Sequence, residues 1–362
     1  MDRLQFAVGA ALLVLPANAL AEDAKPAAIA PDFADPFVAV EGDAYYAFAT
    51  AAYGKHVQVA RSADLVSWSP LPDALPELPS WASRGDALAY TWAPSVLRRR
   101  QGWVLYYTTR DRASGFQCIS RATSVRPQGP YVDDSSRPFL CQVALCGSID
   151  PSPFIDALGR AWLVWKSDEN SERCGGLPRI WSQPLSEDGL DLESWPGVLL
   201  ATDREWERPL IEGPSMFRRD DATYLFYSAN CYESANYAVG FAKCDGPRGP
   251  CTKMTVDGPL LKSFGVHLGP GGEELFTDLA GATWMAFHSW TMPRSTYAEG
   301  GARSLNPCAL RRRKTRSPAQ GGCIAVRRSP LRSAASRRRH FPLCANETTL
   351  GFHEGCALGG LW

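Results

Sequence analysis

Beyond an apolar N-terminal segment, the chain alternates short aromatic-rich runs with acidic or Gly/Pro turns. The runs are YYAFAT from Tyr45, WVLYYTT from Trp103, WLVWKS from Trp162, TYLFYSA from Thr223 and TWMAFHSW from Thr283. Their length and their content of Tyr, Trp, Phe and β-branched residues predict β-strands. A further strand-like run follows in most cases: HVQVARS, FQCISRATS, RIWSQPL and YAVGFAKC. Turns such as VEGDAY, DALGRA and RRDDAT separate the runs. Almost no window carries a stripe with helical period, so the pattern predicts an all-β fold.

The strands recur as a repeat. DPF begins at Asp35, APSV at Ala93, DPSPF at Asp150, EGPSMF at Glu212 and GPGGE at Gly269. Successive anchors are 58, 57, 62 and 57 residues apart. Five units of three or four short strands describe a five-bladed β-propeller. A β-sandwich also has many short strands, but it does not explain one anchor motif repeated at this spacing. The first strand of each blade lines the central channel, so equivalent positions converge on the axis. Asp35, Asp150 and Glu212 are therefore expected at equivalent places in blades one, three and four, meeting in one pocket. The fifth blade is expected to be incomplete.

Composition adds boundaries to this picture. Residues 1–21 have the form of a secretory signal: an apolar run, FAVGAALLVL, then small residues ending Ala19-Leu20-Ala21. The run is too short to span a bilayer, so a secreted, extracellular protein without a membrane partner is expected. Eleven cysteines agree with an oxidising compartment. Cys141 with Cys146, or Cys244 with Cys251, are near enough in sequence to pair. Formal charge is zero over the whole chain, but residues 304–362 hold 11 Lys or Arg against Glu347 and Glu354. The body is acidic by the same margin, which argues against a nucleic-acid partner.

A buried acid needs a partner or a task. Three acids at one axis point to acid–base chemistry or to a metal. No D-x-D-x-D loop of the kind that holds calcium is present. Glycoside hydrolysis uses a carboxylic acid and a carboxylate, and a further carboxylate can keep the acid protonated by repulsion.

DPF, TWAPSV, GSIDPSPF and LIEGPSMF together resemble the family-43 glycoside hydrolases, five-bladed propellers acting on arabinose- and xylose-containing polysaccharides. The resemblance runs from about Ile29 to Leu305, giving a catalytic domain over residues 29–305. It implies Asp35 as the general base that activates water and Glu212 as the general acid. It implies Asp150 as the third carboxylate, which raises the pKa of the acid and orients it. It further implies substrate contacts from Trp92, Phe37, Arg303 and His288, and inversion at the anomeric carbon. His288 matches an axial histidine that holds water or an ion. No cofactor is required by this reading, and a calcium or sodium ion in the central channel is the one candidate. HVQVARS, LPDALPELPSWA and SANCYESANYAVGFA are most similar to the exo-acting arabinofuranosidase and arabinanase-like branch. The expected partner is an arabinan or arabinoxylan oligosaccharide or polysaccharide, bound by a monomer.

Residues 306–362 do not continue the pattern. RRRKTR and SRRRHF stand where an alternating strand belongs, which reads as a tail foreign to the fold, from a shifted frame or splice, or else as a basic tail for polyanions. Three functions stay open on sequence: the arabinofuranosidase-like hydrolase, a β-xylosidase of the same family, and a catalytically silent carbohydrate-binding propeller. A fructan-cleaving propeller is disfavoured, because its N-D-P-N and R-D-P motifs are missing.

Overall fold

The computed structural model describes residues 29, 32–85, 91–291 and 303–310. The signal-like segment, residues 1–21, and residues 311–362 of the tail lie outside these residues. The described chain forms five antiparallel sheets of consecutive strands. Blade one holds β1 (Phe37–Glu41), β2 (Ala44–Ala49), β3 (Gln58–Ser62) and β4 (Ser69–Pro70). Blade two holds β5 (Trp92–Arg99), β6 (Gly102–Arg110) and β7 (Gln117–Ser124). Blade three holds β8 (Ser148–Ile155), β9 (Ala161–Ser167), β10 (Arg179–Pro184) and β11 (Gly197–Ala201). Blade four holds β12 (Ile211–Arg219), β13 (Ala222–Ala229), β14 (Ala238–Cys244) and β15 (Cys251–Lys253). Blade five holds β16 (His267–Thr277), β17 (Thr283–Thr291) and β18 (Arg303–Leu310).

The aromatic runs are the second strands, and the runs after them are the third. First strands touch around a ring: β1 meets β5, β5 meets β8, β8 meets β12, β12 meets β16, and β16 returns to β1. This is the five-bladed β-propeller that the repeat predicts. Apolar clusters fill the wedges between blades. Phe48, Val59, Trp103 and Leu105 pack between blades one and two, and Val164, Ile180, Leu225 and Tyr227 between three and four.

The ring is closed by the N-terminal side of the domain. Ile29 bridges Leu305 antiparallel, and the Phe33 amide donates to the Arg303 carbonyl at 2.6 Å. The outer edge of β18 is thereby met at Arg303 and Leu305. β18 also runs past Leu305 to Leu310, paired with β17 throughout. The fifth blade thus has three strands of its own plus the Ile29 bridge. Its pairing continues beyond the boundary that the loss of alternation suggests, because backbone pairing does not depend on side-chain pattern.

Cys244 pairs with Cys251, as their spacing allows. Cys141 does not pair with Cys146. It joins Cys118, and Cys146 joins Cys174. The Ile119–Leu140 bridge draws the first pair together, and no sequence spacing encodes that contact.

Candidate active site

Strand register shows how the axis is built. In blades two to five the first strand bulges by two residues: Ala93-Pro94, Asp150-Pro151, Gly213-Pro214 and Gly272-Glu273. Asp35-Pro36 occupies the same place just before β1. The first residue of each pair is left-handed, with φ of 51° at Asp35, 44° at Ala93, 55° at Asp150, 55° at Gly213 and 56° at Gly272. For Asp35, Ala93 and Asp150 this backbone costs on the order of 1–3 kcal/mol each, strain that folds retain mainly at working sites.

Two sequence expectations are corrected by this register. Gly213, not Glu212, is the blade-four equivalent of Asp35 and Asp150. Glu212 stands one residue earlier, in register with Trp92 and Ile149. Gly272, not Gly269, is the axial residue of blade five, because β16 carries two irregularities rather than one.

Each axial amide is held by the blade before it. Ala93 donates to Thr50 Oγ1 at 3.0 Å, Asp150 to Thr108 Oγ1 at 3.2 Å and Gly272 to Ser228 Oγ at 2.8 Å. Asp35 donates to His288 Nδ1 at 3.0 Å. At the fifth junction the equivalent second-strand residue is Lys166, an ammonium with no lone pair to offer. There the Gly213 amide binds Asp150 Oδ2 instead, at 2.9 Å.

Asp35 is held as a carboxylate. Burial pushes its carboxyl up, but the Arg303 guanidinium, the His288 ring and the Thr50 hydroxyl outweigh that, and the net shift is downward. Thr50 Oγ1 donates to Oδ2 at 2.5 Å, and Arg303 Nη1 lies 3.9 Å from Oδ1. His288 is fully buried, and burial, followed by Arg303, brings its ring down to about 3. It is therefore neutral, with Nδ1 accepting from the Asp35 amide. The charge that keeps Asp35 ionised is accordingly that of Arg303.

Asp150 and Glu212 form the opposite environment. Burial, then the charge of Glu212, raises the Asp150 carboxyl to about 7. Glu212 Oε1 accepts from Tyr237 at 2.9 Å, and Oε2 lies 3.3 Å from Lys166 Nζ. Lys166 is buried and also lies 3.4 Å from Asp168 Oδ1. A carboxylate kept ionised, as Asp35 is, and a carboxyl raised by burial, as Asp150 is, are the kinds of group that acid–base hydrolysis uses.

Arg303 and His288, both expected at the site, are thus beside Asp35. Arg303 also lies over the Tyr232 and Trp290 rings at 5.2 and 5.6 Å. Trp92 is half-buried and takes in blade two the place of Glu212 in blade four. Phe37 packs on the apolar cluster between blades one and two. His288 does not fit direct ligation of a cation. Its Nδ1 lone pair is taken by the Asp35 amide, and its Nε2 faces the Arg303 guanidinium at 3.5 Å. Among the described residues no group of three or more His, Cys, Asp or Glu has metal-holding geometry.

Sequence reasoning missed Lys166, Asp168, Tyr237, Thr50 and Gly272. Lys166 carried a signal, a lysine inside the apolar run WLVWKS, where burial without a partner is rare. Tyr237 opens an ordinary strand run and carried none. Its ring stacks on His288 at 5.9 Å, joining the two halves of the site.

A propeller whose axis gathers the ionised Asp35 and the raised carboxyl of Asp150 has the makings of a hydrolase. Residues 27–311 match the glycosyl hydrolases family 43, and the chain belongs to that family. It is 27% identical over 239 residues to the β-D-galactofuranosidase xynD of Aspergillus niger, covering 63% of this chain and 64% of that protein. It is 24% identical over 258 residues to the extracellular exo-α-(1→5)-L-arabinofuranosidase ArbA of Cellvibrio japonicus, covering 67% and 70%. A thermostable family-43 glycoside hydrolase of known crystal structure superposes with a TM-score of 0.69 at 28% identity, over 80% of this chain and 96% of that one.

Proposed function

We propose that the chain is a secreted, inverting glycosidase that removes arabinofuranosyl units from arabinan or arabinoxylan. One observation carries the chemistry: the ionised Asp35, the raised carboxyl of Asp150 and the carboxyl of Glu212 come from different blades and meet at a common axis. Asp35 takes a proton from water, and the water oxygen bonds to the anomeric carbon. The bond from that carbon to the leaving oxygen breaks on the opposite face, and Glu212 gives that oxygen its proton. Inversion is the outcome this reading expects, because base and acid come from separate blades with a water to be placed between them. Trp92 offers an indole face for the sugar C–H surface, and Arg303 offers donors for its hydroxyls. Every group comes from one chain, so a monomer suffices. Secretion is supported by the signal-like N-terminus and by the extracellular ArbA relative.

The sugar is tested with matched aryl α-L-arabinofuranoside, β-D-xyloside and β-D-galactofuranoside. Highest kcat/KM on the arabinofuranoside is expected. A clear preference for either of the others reassigns the glycone, and no turnover of any leaves the silent, carbohydrate-binding reading. Proton NMR of the first-formed sugar tests inversion. Initial appearance of the substrate's own anomer would make Asp35 a nucleophile rather than a base.

A further inference from the structure

Arg303 acts on Asp35 across a gap. Its Nη1 lies 3.9 Å from Oδ1, too long for a hydrogen bond. The guanidinium therefore works through its field, and its effect depends on where it is held. An arginine side chain loses much rotamer freedom when it is fixed, so something must hold it there. Arg303 is buried, at 8% exposed, and two aromatic rings lie against it. Tyr232 reaches it from the β13–β14 loop of blade four, at 5.2 Å, and Trp290 from β17 of blade five, at 5.6 Å. Trp290 stands opposite Arg303 in the β17–β18 ladder, and its Nε1 donates to the Tyr232 carbonyl at 2.8 Å. The two rings and the bond between them form one grip, and ring faces attract a guanidinium most strongly where water is excluded.

The loop that carries Tyr232 is itself fixed to its neighbour. Ser263 Oγ donates to the Ala235 carbonyl at 2.5 Å. A Cβ on Gly269 would overlap the Ser234 carbonyl oxygen, so the loop lies this close to β16 only because the GPGG run begins with glycine. That gives Gly269 a task away from the axis. We propose that Tyr232 and Trp290 are positioning residues: they grip the Arg303 guanidinium from blades four and five and hold its charge beside the base. Both act through Arg303, and the loop from blade four ties the base of blade one to the fold of blade five.

The ionisable groups that face this region are Asp35 before β1, Asp150 of β8, Glu233 of the same loop, Tyr237 just before β14, His288 of β17 and Arg303 of β18. His288 is neutral above about pH 3, so Arg303 is the one cation among them over the working range. Glu233 Oε1 accepts from the Tyr232 hydroxyl at 3.3 Å. A change at Tyr232 therefore touches that carboxyl as well as the grip, and the ring and the hydroxyl have to be removed separately.

The inference rests on Asp35 as the base, which azide rescue of Asp35→Asn tests separately. The grip is read from kcat/KM against pH on the aryl glycoside that the enzyme turns over best. Tyr232→Leu removes one ring face and frees the guanidinium. The acid limb should then move to higher pH by about half a unit, a fraction of the roughly 1–3 units that an adjacent opposite charge supplies. Tyr232→Phe keeps the face and loses only the hydroxyl, so its limb should stay in place. In an Arg303→Met background Tyr232→Leu should move the limb no further, because the grip has nothing left to hold. A role confined to packing lowers the rate at every pH and leaves the limb of Tyr232→Leu where it was, which overturns the proposal. Equal movement in Tyr232→Phe, or further movement in the Arg303→Met background, also overturns it, since the effect would then bypass Arg303. If Tyr232→Leu does not fold by circular dichroism, Tyr232→Gln takes its place. It has no ring face and suits a half-buried site, and the same limb shift supports or ends the proposal.

Discussion

Asp150 Oδ2 accepts the Gly213 amide at 2.9 Å, a bond that the other four junctions assign to a second-strand side chain. The third carboxylate therefore has a structural task beside its electrostatic one. Asp150→Asn keeps an acceptor for Gly213 and removes the charge, whereas Asp150→Ala removes both. The alanine variant should lose about 1 kcal/mol or more of stability by stranding the amide, and the asparagine variant should not.

The same residue predicts a slope of stability against pH. Its carboxyl has an ordinary value of 3.8 and stands at about 7 in the fold. Between those values the folded chain holds a proton that the unfolded chain has released. Its contribution is whole below pH 4 and is lost as pH rises through about 7. Melting temperature should therefore fall across that window more steeply in the native chain than in Asp150→Asn. Parallel curves for the two proteins would contradict the raised carboxyl.

Arg303 makes a prediction at the other end of the pH range. It is the largest of the groups that together outweigh burial at Asp35 and keep that carboxyl below its ordinary 3.8. The acid limb of the rate profile should accordingly lie below pH 4. Arg303→Met leaves burial in place without the cation, so the limb should move to higher pH. Any loss of sugar contacts lowers the plateau without moving the limb, so the two effects separate in one titration. A limb that stays where it was would remove Arg303 from the control of the base.

Gly272 tests the axial packing. A Cβ there would meet His288 Nδ1 at 2.5 Å and Asp35 Oδ1 at 3.0 Å, on a backbone with φ of 56°. His288 is fully buried and has nowhere to retreat. Gly272→Ala should cost about 2 kcal/mol or more, combining the left-handed penalty with overpacking. It should also lower kcat/KM, since the overlap falls on the base. Gly159→Ala is the control. It has a similar φ of 77° with nothing near its Cβ, so it should show the backbone cost alone in chemical denaturation.

Much of this site was legible because two periodicities coincide in the sequence. Strand alternation gave the second and third strands of the blades, and the D-P and E-G-P anchors gave the convergence of Asp35, Asp150 and Glu212. His288 and Arg303 were legible from the runs around them. The one-residue offset of Glu212 was not, because a bulge changes register without changing composition. For the same reason GPG at Gly269 passed for the fifth anchor, while the axial turn lies three residues on, at Gly272. Lys166 and Asp168 matter through each other across short distances, and sequence order does not state distance. Tyr237 reaches Glu212 from the next strand pair but one, in a run that looks like any other.

The last prediction separates the roles of Glu212 and Asp35, which sit on different blades and act on different oxygens. A general acid matters only as far as the leaving group needs a proton. A sugar leaving group has a high pKa and needs one in the transition state, whereas a nitrophenolate departs without help. Glu212→Gln keeps an acceptor for Tyr237 but has no proton to transfer. It should slow hydrolysis of an arabino-oligosaccharide by roughly 10²–10⁴-fold, the usual scale of acid–base catalysis, and slow a nitrophenyl glycoside far less. Asp35→Asn removes the group that activates water, which both substrates need equally, so both should slow alike. Azide supplied to Asp35→Asn offers a nucleophile that needs no base, and it should restore turnover as a glycosyl azide of inverted configuration. The decisive outcome is the pairing of variant with substrate. If Glu212→Gln slows both substrates equally while Asp35→Asn spares the aryl glycoside, the two carboxylates hold each other's roles.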